Sequence, residues 1–517
     1  MLAVATMIAT SCSDYLDINT NKNKPTTVSA PLVMSQALVA TAIVLNQYNT
    51  YGMQIGGFAA NAGGFGGFNE TVTYIYTNNN YSNLWPASYD NLEDYQYIIN
   101  QTTDADGNVI PDQIYFNAIA RIMKSYGYQL LVDAYNNVPY SQALLGQENL
   151  TPAYDDAATI YAALAVDLDK AIADIKAGAA ATVAPSPVTN YDVVFAGNMT
   201  SWIKFANTIK LRLMVRGRGK VTFSNTSFDP AGFVDKDVII NPGYTRDINR
   251  QNPNWNSWAF GYTGSSATKA WVPSTFVMGF YTGYHLNDPG RGKAMYYQFP
   301  GTGTNQLGYE GVGIPKSPEG NFWYPSNNRD GKSSGNATGV LKGPNAGLVA
   351  MLAAESYFLQ AEAALEGIPG VTGTQKALFE SGIHASFKYL YKLPDNTTSG
   401  DPDADANAYI ASNNTYLTQY DLATSDAQRL EAIITQKWLA VNMINSQEGY
   451  NEYRRTGYPK VSGSLPNSTF ASAESLINSR PDKLPTRILY PTSEIQYNGA
   501  NVPPGVTSTS NTIFWAK

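Results

Sequence analysis

The sequence predicts a mainly α-helical protein folded as one large domain, and three observations carry that expectation. Apolar residues recur at helical spacing over roughly 30–217 and again over roughly 346–446, giving faces wide enough to pack helix on helix. Between them, over about 218–345, Gly, Pro, Asn and aromatic residues dominate and helical periodicity fades except around Pro273 to Tyr281. That part reads as a loop-rich, partly stranded excursion laid over a helical scaffold. With 44% hydrophobic residues in 517, the chain can bury a sizeable core.

Composition narrows the function. Net charge is −7 and no basic block occurs, which argues against nucleic acid, since displacing its counterions takes clustered Lys and Arg. His285 and His384 are the only histidines, which disfavours a His-rich metal site or a Ser–His triad. Cys12 is the only cysteine, so no internal disulfide can form. No cofactor or metal is expected. Tyr, Gly and Asn are abundant while charged residues make up 15%; such rings and amides suit neutral polar ligands such as sugars, and equally an ordinary extracytoplasmic surface.

In chain order, Leu2 to Ala9 is an apolar run too short to span a bilayer, and Ala9, Thr10 and Ser11 put small residues ahead of Cys12. A polar, extended tether leads to Pro25. A first helix is expected from Ala30 to Asn49, with Leu32, Leu38, Ile43 and Leu45 as its apolar positions. From Gly56 to Asn83 the glycines are too dense for a regular core element, and no GK[ST] follows that would make a nucleotide loop. Leu84 to Ile99 reads as a helix with Leu92, Tyr95 and Ile99 inward, and Phe116 to Asn136 as a long one. Asp104, Asp106, Asn108 and Asp112 between them lack the Glu that closes a calcium loop, so a polar turn is expected; Asp401 to Asn407 fails in the same way.

Asp155 or Asp156 caps an amphipathic helix carrying Ile160, Leu164, Leu168, Ile172 and Ile175, with Gly178 beyond its end. In the next helix, Trp202 to Gly217, Arg212 and Arg216 lie four apart and are expected to contact helix ends. Helices return at Leu348, where Ala361 and Ala364 are small enough for close packing, and Gln375 to Leu390 supplies a partner. Ser425 and Gln428 mark a capped start before Leu430, Ile433, Ile434, Trp438 and Val441. Glu448, Glu452, Arg454 and Arg455 then crowd one short span with no nucleophile or His beside them, and read as a paired structural network. Gly457 and Pro459 end that run, and the stretch from about 447 to 517 is expected to form an extended strap.

Six of these stretches carry a resemblance: LWPASYDNLEDYQYII (84–99), FNAIARIMKSYGYQLLVDAYNNVPYSQAL (116–144), WIKFANTIKLRLMVRG (202–217), AGLVAMLAAESYFLQAEAALEG (346–367), QKWLA with QEGYNEYRRTGYP (436–459) and TRILYPTSEIQYN (486–498). In that order they resemble SusD/RagB-like outer-membrane nutrient-binding lipoproteins. LNDPGRGKAMYY (286–297) is similar to the family's Asp-Pro-Arg turn, with Gly290 inserted. The resemblance implies a tetratricopeptide-like helical-repeat scaffold spanning 12–517 after a signal segment at 1–11. It also implies a surface lipoprotein, lipidated at Cys12 and held on the outer membrane, that captures nutrient and delivers it to a SusC-like TonB-dependent transporter. No catalysis is implied. The ligand is expected to be an oligosaccharide, with a peptide as the alternative.

A ligand face is expected where aromatics are dense without helical periodicity: Phe65, Phe68, Asn79 and Tyr81 on the first loop, and Trp255, Trp258, Trp323 and Tyr324 on the excursion. A pyranose can lay its C–H face on a ring while amides bind its hydroxyls. The other reading is that these rings cap the scaffold. A glycoside hydrolase would need two carboxylates facing one bond; Glu355 with Glu362 and Glu448 with Glu452 are the available sets, and both look structural.

Overall fold

Helix α1, Ala30–Ile55, is the post around which the rest assembles. The computed structural model describes residues 28–327, 329 and 335–517, so Cys12 and the signal segment at 1–11 lie outside the described residues. α1 opens on Pro31, whose fixed φ suits a first turn, and it runs past the expected end at Asn49. Leu38 and Leu45 are buried, but Leu32 and Ile43 are 62% and 50% exposed. The inward stripe runs instead through Met34, Ala37, Ala42, Tyr48 and Gly52. At Gly52 a Cβ would lie 2.0 Å from the Gln447 nitrogen, so only glycine allows the two backbones this close.

Past β1, Ala59–Asn61, and the single turn α2, Glu70–Thr73, the first half of the scaffold is a run of helices, each packed on the next. These are α3 (Leu84–Gln101), α4 (Ile114–Tyr135), α5 (Ala157–Ala180) and α6 (Met199–Arg216). Between α4 and α5, β2 (Val138–Pro139) pairs with β3 (Tyr154–Asp155). Asp156 is the cap of α5, accepting from the Thr159 amide, while Asp155 accepts from the Tyr140 and Ser141 amides. Leu92, Tyr95 and Ile99 are buried as the spacing required. Asp104 closes its loop on itself by accepting from the amides of Asp106 and Asn108.

The excursion holds β4 (Val238–Ile240), α7 (Pro253–Trp258), β5 (Trp271–Pro273), α8 (Thr275–Thr282) and α9 (Pro289–Met295). Its strands pair antiparallel with the scaffold, not with each other: β5 with β1, and β4 with β6 (Leu348–Met351). Leu348, expected to start a helix, therefore lies in a strand, and α10 begins at Ala353–Glu366. α10 packs against α11, Gln375–Tyr391, as the predicted pair. Gly290 sits in the first turn of α9, where a Cβ would come 2.8 Å from Phe387. Asp288 caps that turn and pairs with Arg291, whose guanidinium lies 4.9 Å from both the Phe387 and Tyr409 rings.

The chain closes through α12 (Pro402–Ser412), α13 (Asp426–Ala440), α14 (Ser446–Thr456) and α15 (Thr492–Asn498). Ser425 accepts from the Gln428 amide, and Gln428 reaches back to the Thr424 amide, one residue earlier than a standard capping box. Two corrections follow for the strap. Residues 446–456 are helical, and so are residues 492–498, where Pro491 stands just before α15 and its missing N–H costs no helical bond.

α14 is buried although it is rich in charge, because it is the middle of an alternating chain of ion pairs. Glu362 meets Arg455 at 2.7 Å, Arg455 meets Glu452 at 2.5 Å, and Lys437 lies 2.7 Å from Glu452 and 3.9 Å from Glu355. Arg212 lies 2.6 Å from Glu355 and 3.5 Å from Glu448; Arg216 then bridges Glu448 to Asp133, the latter at 2.5 Å. Arg212 and Arg216 thus meet carboxylates, not the helix ends that the sequence suggested. Five carboxylates alternate with four cations, so one charge is left over. Burial pushes Glu448 and Glu452 up, but the surrounding Arg and Lys outweigh it and hold both below the usual range. Burial wins at Glu355, Glu362 and Asp133, whose carboxyls are raised. The strap ends here too: the Trp515 indole donates to Asp133 at 2.9 Å and its ring faces Arg216 and Arg454.

Candidate functional site

The β1–β5 ladder sets three loops side by side: 62–69 after β1, 259–270 before β5, and 302–320 beyond α9. The Ala62 amide donates to the Ala270 carbonyl and the Gly63 amide to that of Pro315, both at 2.9 Å. Asn61, fully buried, stitches the third loop on. Its amide nitrogen donates to the Tyr309 carbonyl (3.3 Å) and to Glu310 Oε1 (2.7 Å), while its Oδ1 accepts from the Gly308 amide at 2.8 Å. Gly63 is needed for this contact, since a Cβ there would lie 2.5 Å from the Ile314 carbonyl oxygen.

On these loops Phe65 is 39% exposed, Tyr262 46% and Tyr309 48%. Phe68 is half-buried and packs edge-on against Trp271 at 5.3 Å, which anchors the loop beneath Phe65. The Tyr309 ring lies over Gly311, its Oη only 2.0 Å from where a Cβ would stand. Charge at the edges is paired, as in Lys269 with Glu319 at 2.9 Å, and Arg246 donates to the Tyr262 carbonyl at 3.3 Å. Exposed rings on hydrogen-bonded loops can stack on the flat apolar face of a ligand.

The structure separates the residues expected from the sequence. Trp255, Trp258, Trp323 and Tyr324 are 3%, 3%, 0% and 1% exposed, so the expectation that they present a ligand surface is corrected: they are core. Trp255 packs edge-on against Tyr324 and Trp258 against Trp323. The asparagines around them misled because their amides are taken up by the protein itself. Asn252 caps α7 by accepting from the Trp255 amide and donates to the Ala346 carbonyl; Asn254 donates to the Met443 carbonyl, and Asn256 accepts from Gln251.

Tyr81 is half-buried, edge-on to Tyr51 and Tyr76. Asn79 is exposed and accepts from Thr492 of the C-terminal strap, whereas Tyr81 belongs to a ring cluster on α1, so neither is tied to the loop of Phe65. Tyr262 and Tyr309 were missed. Their signal is a tyrosine held between glycines in GYTG and GYEG, where the chain turns too tightly to build a core around the ring. The carboxylate sets weighed for a hydrolase, Glu355 with Glu362 and Glu448 with Glu452, are buried in the ion-pair chain.

Comparison with known proteins agrees with this architecture. The family described as starch-binding and associating with the outer membrane matches residues 22–491. Among solved structures, a chitin-binding SusD homolog from Flavobacterium johnsoniae superposes with a TM-score of 0.67 at 22% identity, over 93% of this chain and 98% of its own. A SusD homolog from Bacteroides uniformis gives 0.67 at 21%, over 94% and 99%. A SusD-like protein from Bacteroides thetaiotaomicron gives 0.65 at 21%, over 93% and 98%. No curated protein matches the sequence. The match of the family to nearly the whole chain, with the fold shared along its length, establishes that this chain belongs to the SusD-like family.

Proposed function

We propose that this protein captures oligosaccharide at the outer membrane through the exposed rings of the three stitched loops and passes it on unchanged to a SusC-like TonB-dependent transporter. The observation that carries the reading is the set of Phe65, Tyr262 and Tyr309, exposed on loops that Asn61 and the β1–β5 ladder hold in place. Rings fixed before the ligand arrives lose little freedom on binding. The chitin-binding relative supports a sugar ligand. Burial of the candidate carboxylates supports capture over hydrolysis. Cys12 is the proposed lipid anchor, which would keep the capture surface at the membrane.

A glycan and peptide array with the purified protein tests the reading. Binding to neutral oligosaccharides with no product formed is expected; binding to peptides alone, or turnover of a bound glycan, would overturn it. Purification from gently solubilised membranes should recover a barrel protein of greater mass. Recovery only as a free monomer would contradict the transporter partner.

A further inference from the structure

A second cleft of about 680 Å³ opens between the β4–β6 ladder, the C-terminal end of α11 and the start of α12, a size in the range of ~300–1,000 Å³ that holds small ligands. It shares no lining residue with the ring-bearing loops. Ile239, Tyr389, Leu393 and Pro394 give it an apolar part, and both signs of charge line the rest.

The carboxylates are already answered. Asp235 pairs with Lys204 at 2.6 Å, and Asp403 with Lys388 at 3.0 Å and His384 at 2.7 Å. Asp237 accepts the Ala353 amide at the start of α10 at 3.0 Å, and its charge also acts on Lys342 and Lys392 from beyond ion-pair distance. The lysines have no carboxylate partner as close. Among the described residues, no carboxylate lies within ion-pair distance of Lys236, Lys342 or Lys392, all three lining the cleft. Lys342 is 7% exposed, and its ammonium donates to the carbonyls of Tyr389 (2.9 Å) and Lys392 (2.5 Å) beside the Tyr389 ring. Two neutral acceptors leave one of its three N–H groups for a ligand. Burial pulls that ammonium down to about 7, and the charge of Asp237, beyond ion-pair distance, offsets this only in part.

We propose that this cleft is a second binding site, for a small acidic sugar whose carboxylate lies between Lys342, Lys392 and Lys236 and whose ring rests on Tyr389 and Leu393. The charge-assisted contacts to the carboxylate set its preference for the acid over a neutral sugar of the same size. The site is independent of the loop rings, so it stands or falls apart from the capture surface.

Calorimetry with a disaccharide ending in glucuronic acid, beside the same disaccharide ending in glucose, tests it. The acidic sugar is expected to bind the full chain more tightly by about tenfold or more, and Lys392→Glu and Lys236→Glu each to lose about tenfold, one strong contact. Both lysines are at the rim, so these variants keep the fold, and melting checks it. Phe65→Ala and Tyr309→Ala should leave acid binding unchanged. Equal affinity for the two disaccharides, no detectable binding of the acid, or loss in the loop variants but not the lysine variants would overturn the proposal.

Discussion

Replacing Arg216 with Met should destabilise the protein more than removing any exposed ion pair. Arg216 is fully buried and contacts Asp133, Glu448 and Glu452, so its loss leaves three buried carboxylates short of a cation. Removing one partner from a buried pair costs ~3–5 kcal/mol. With an unfolding entropy of roughly 2.1 cal/mol/K per residue over 517 residues, or about 1.1 kcal/mol/K, Tm should fall by about 3–5 °C. Lys170→Ala is the control: its pair with Asp174 at 3.5 Å is an exposed i,i+4 contact, worth ~0.3–0.5 kcal/mol.

The deficit should also depend on pH. Glu448 and Glu452 are held below their unfolded value of about 4.5, so their contribution is present above that value and lost as pH falls through the lowered folded values. Without Arg216 the two carboxyls are no longer held down as far, so the gap between variant and parent should be full at neutral pH and shrink under acid. Scanning calorimetry from neutral pH down to pH 3 reads both effects. Melting of Arg216→Met within about a degree of the parent at neutral pH, or a gap that widens under acid, would refute the reasoning.

Gly52→Ala forces a methyl group into the Gln447 backbone and should cost ~1–3 kcal/mol by overpacking, whereas Gly66→Ala, which meets nothing within 4 Å, should melt with the parent. Trp258→Ala removes a core ring and should cost ~3–5 kcal/mol; a melt unchanged from the parent would return Trp258 to the surface. Gly311→Val displaces the Tyr309 ring from its seat and should weaken ligand binding by calorimetry with little change in Tm, while unchanged binding would separate Tyr309 from the ligand.

The helices were legible where burial follows apolar spacing, as at Leu92, Tyr95 and Ile99. They were illegible where burial is bought by charge: α14 is among the most polar helices yet lies inside, because apart from Lys437 of neighbouring α13 its ion-pair partners come from α6 and α10, distant in sequence. Pairing across such distances leaves no local pattern. The site failed for a related reason. Asparagines beside a tryptophan look the same whether they face solvent or cap a helix, and at Trp255 they cap. Phe65, Tyr262 and Tyr309, exposed on their loops, share a local mark, glycines close on both sides, although Phe58 after Gly56 and Gly57 is core.

Calorimetry of the double variant Phe65→Ala/Tyr309→Ala, titrated with a neutral oligosaccharide that the parent binds, tests the capture surface most directly. Each stacked ring contributes ~0.5–1.5 kcal/mol beyond its buried area, so affinity should fall by at least about fivefold while the melt stays with the parent. Full affinity in the double variant would contradict the assignment of the three loops as the place where ligand is held.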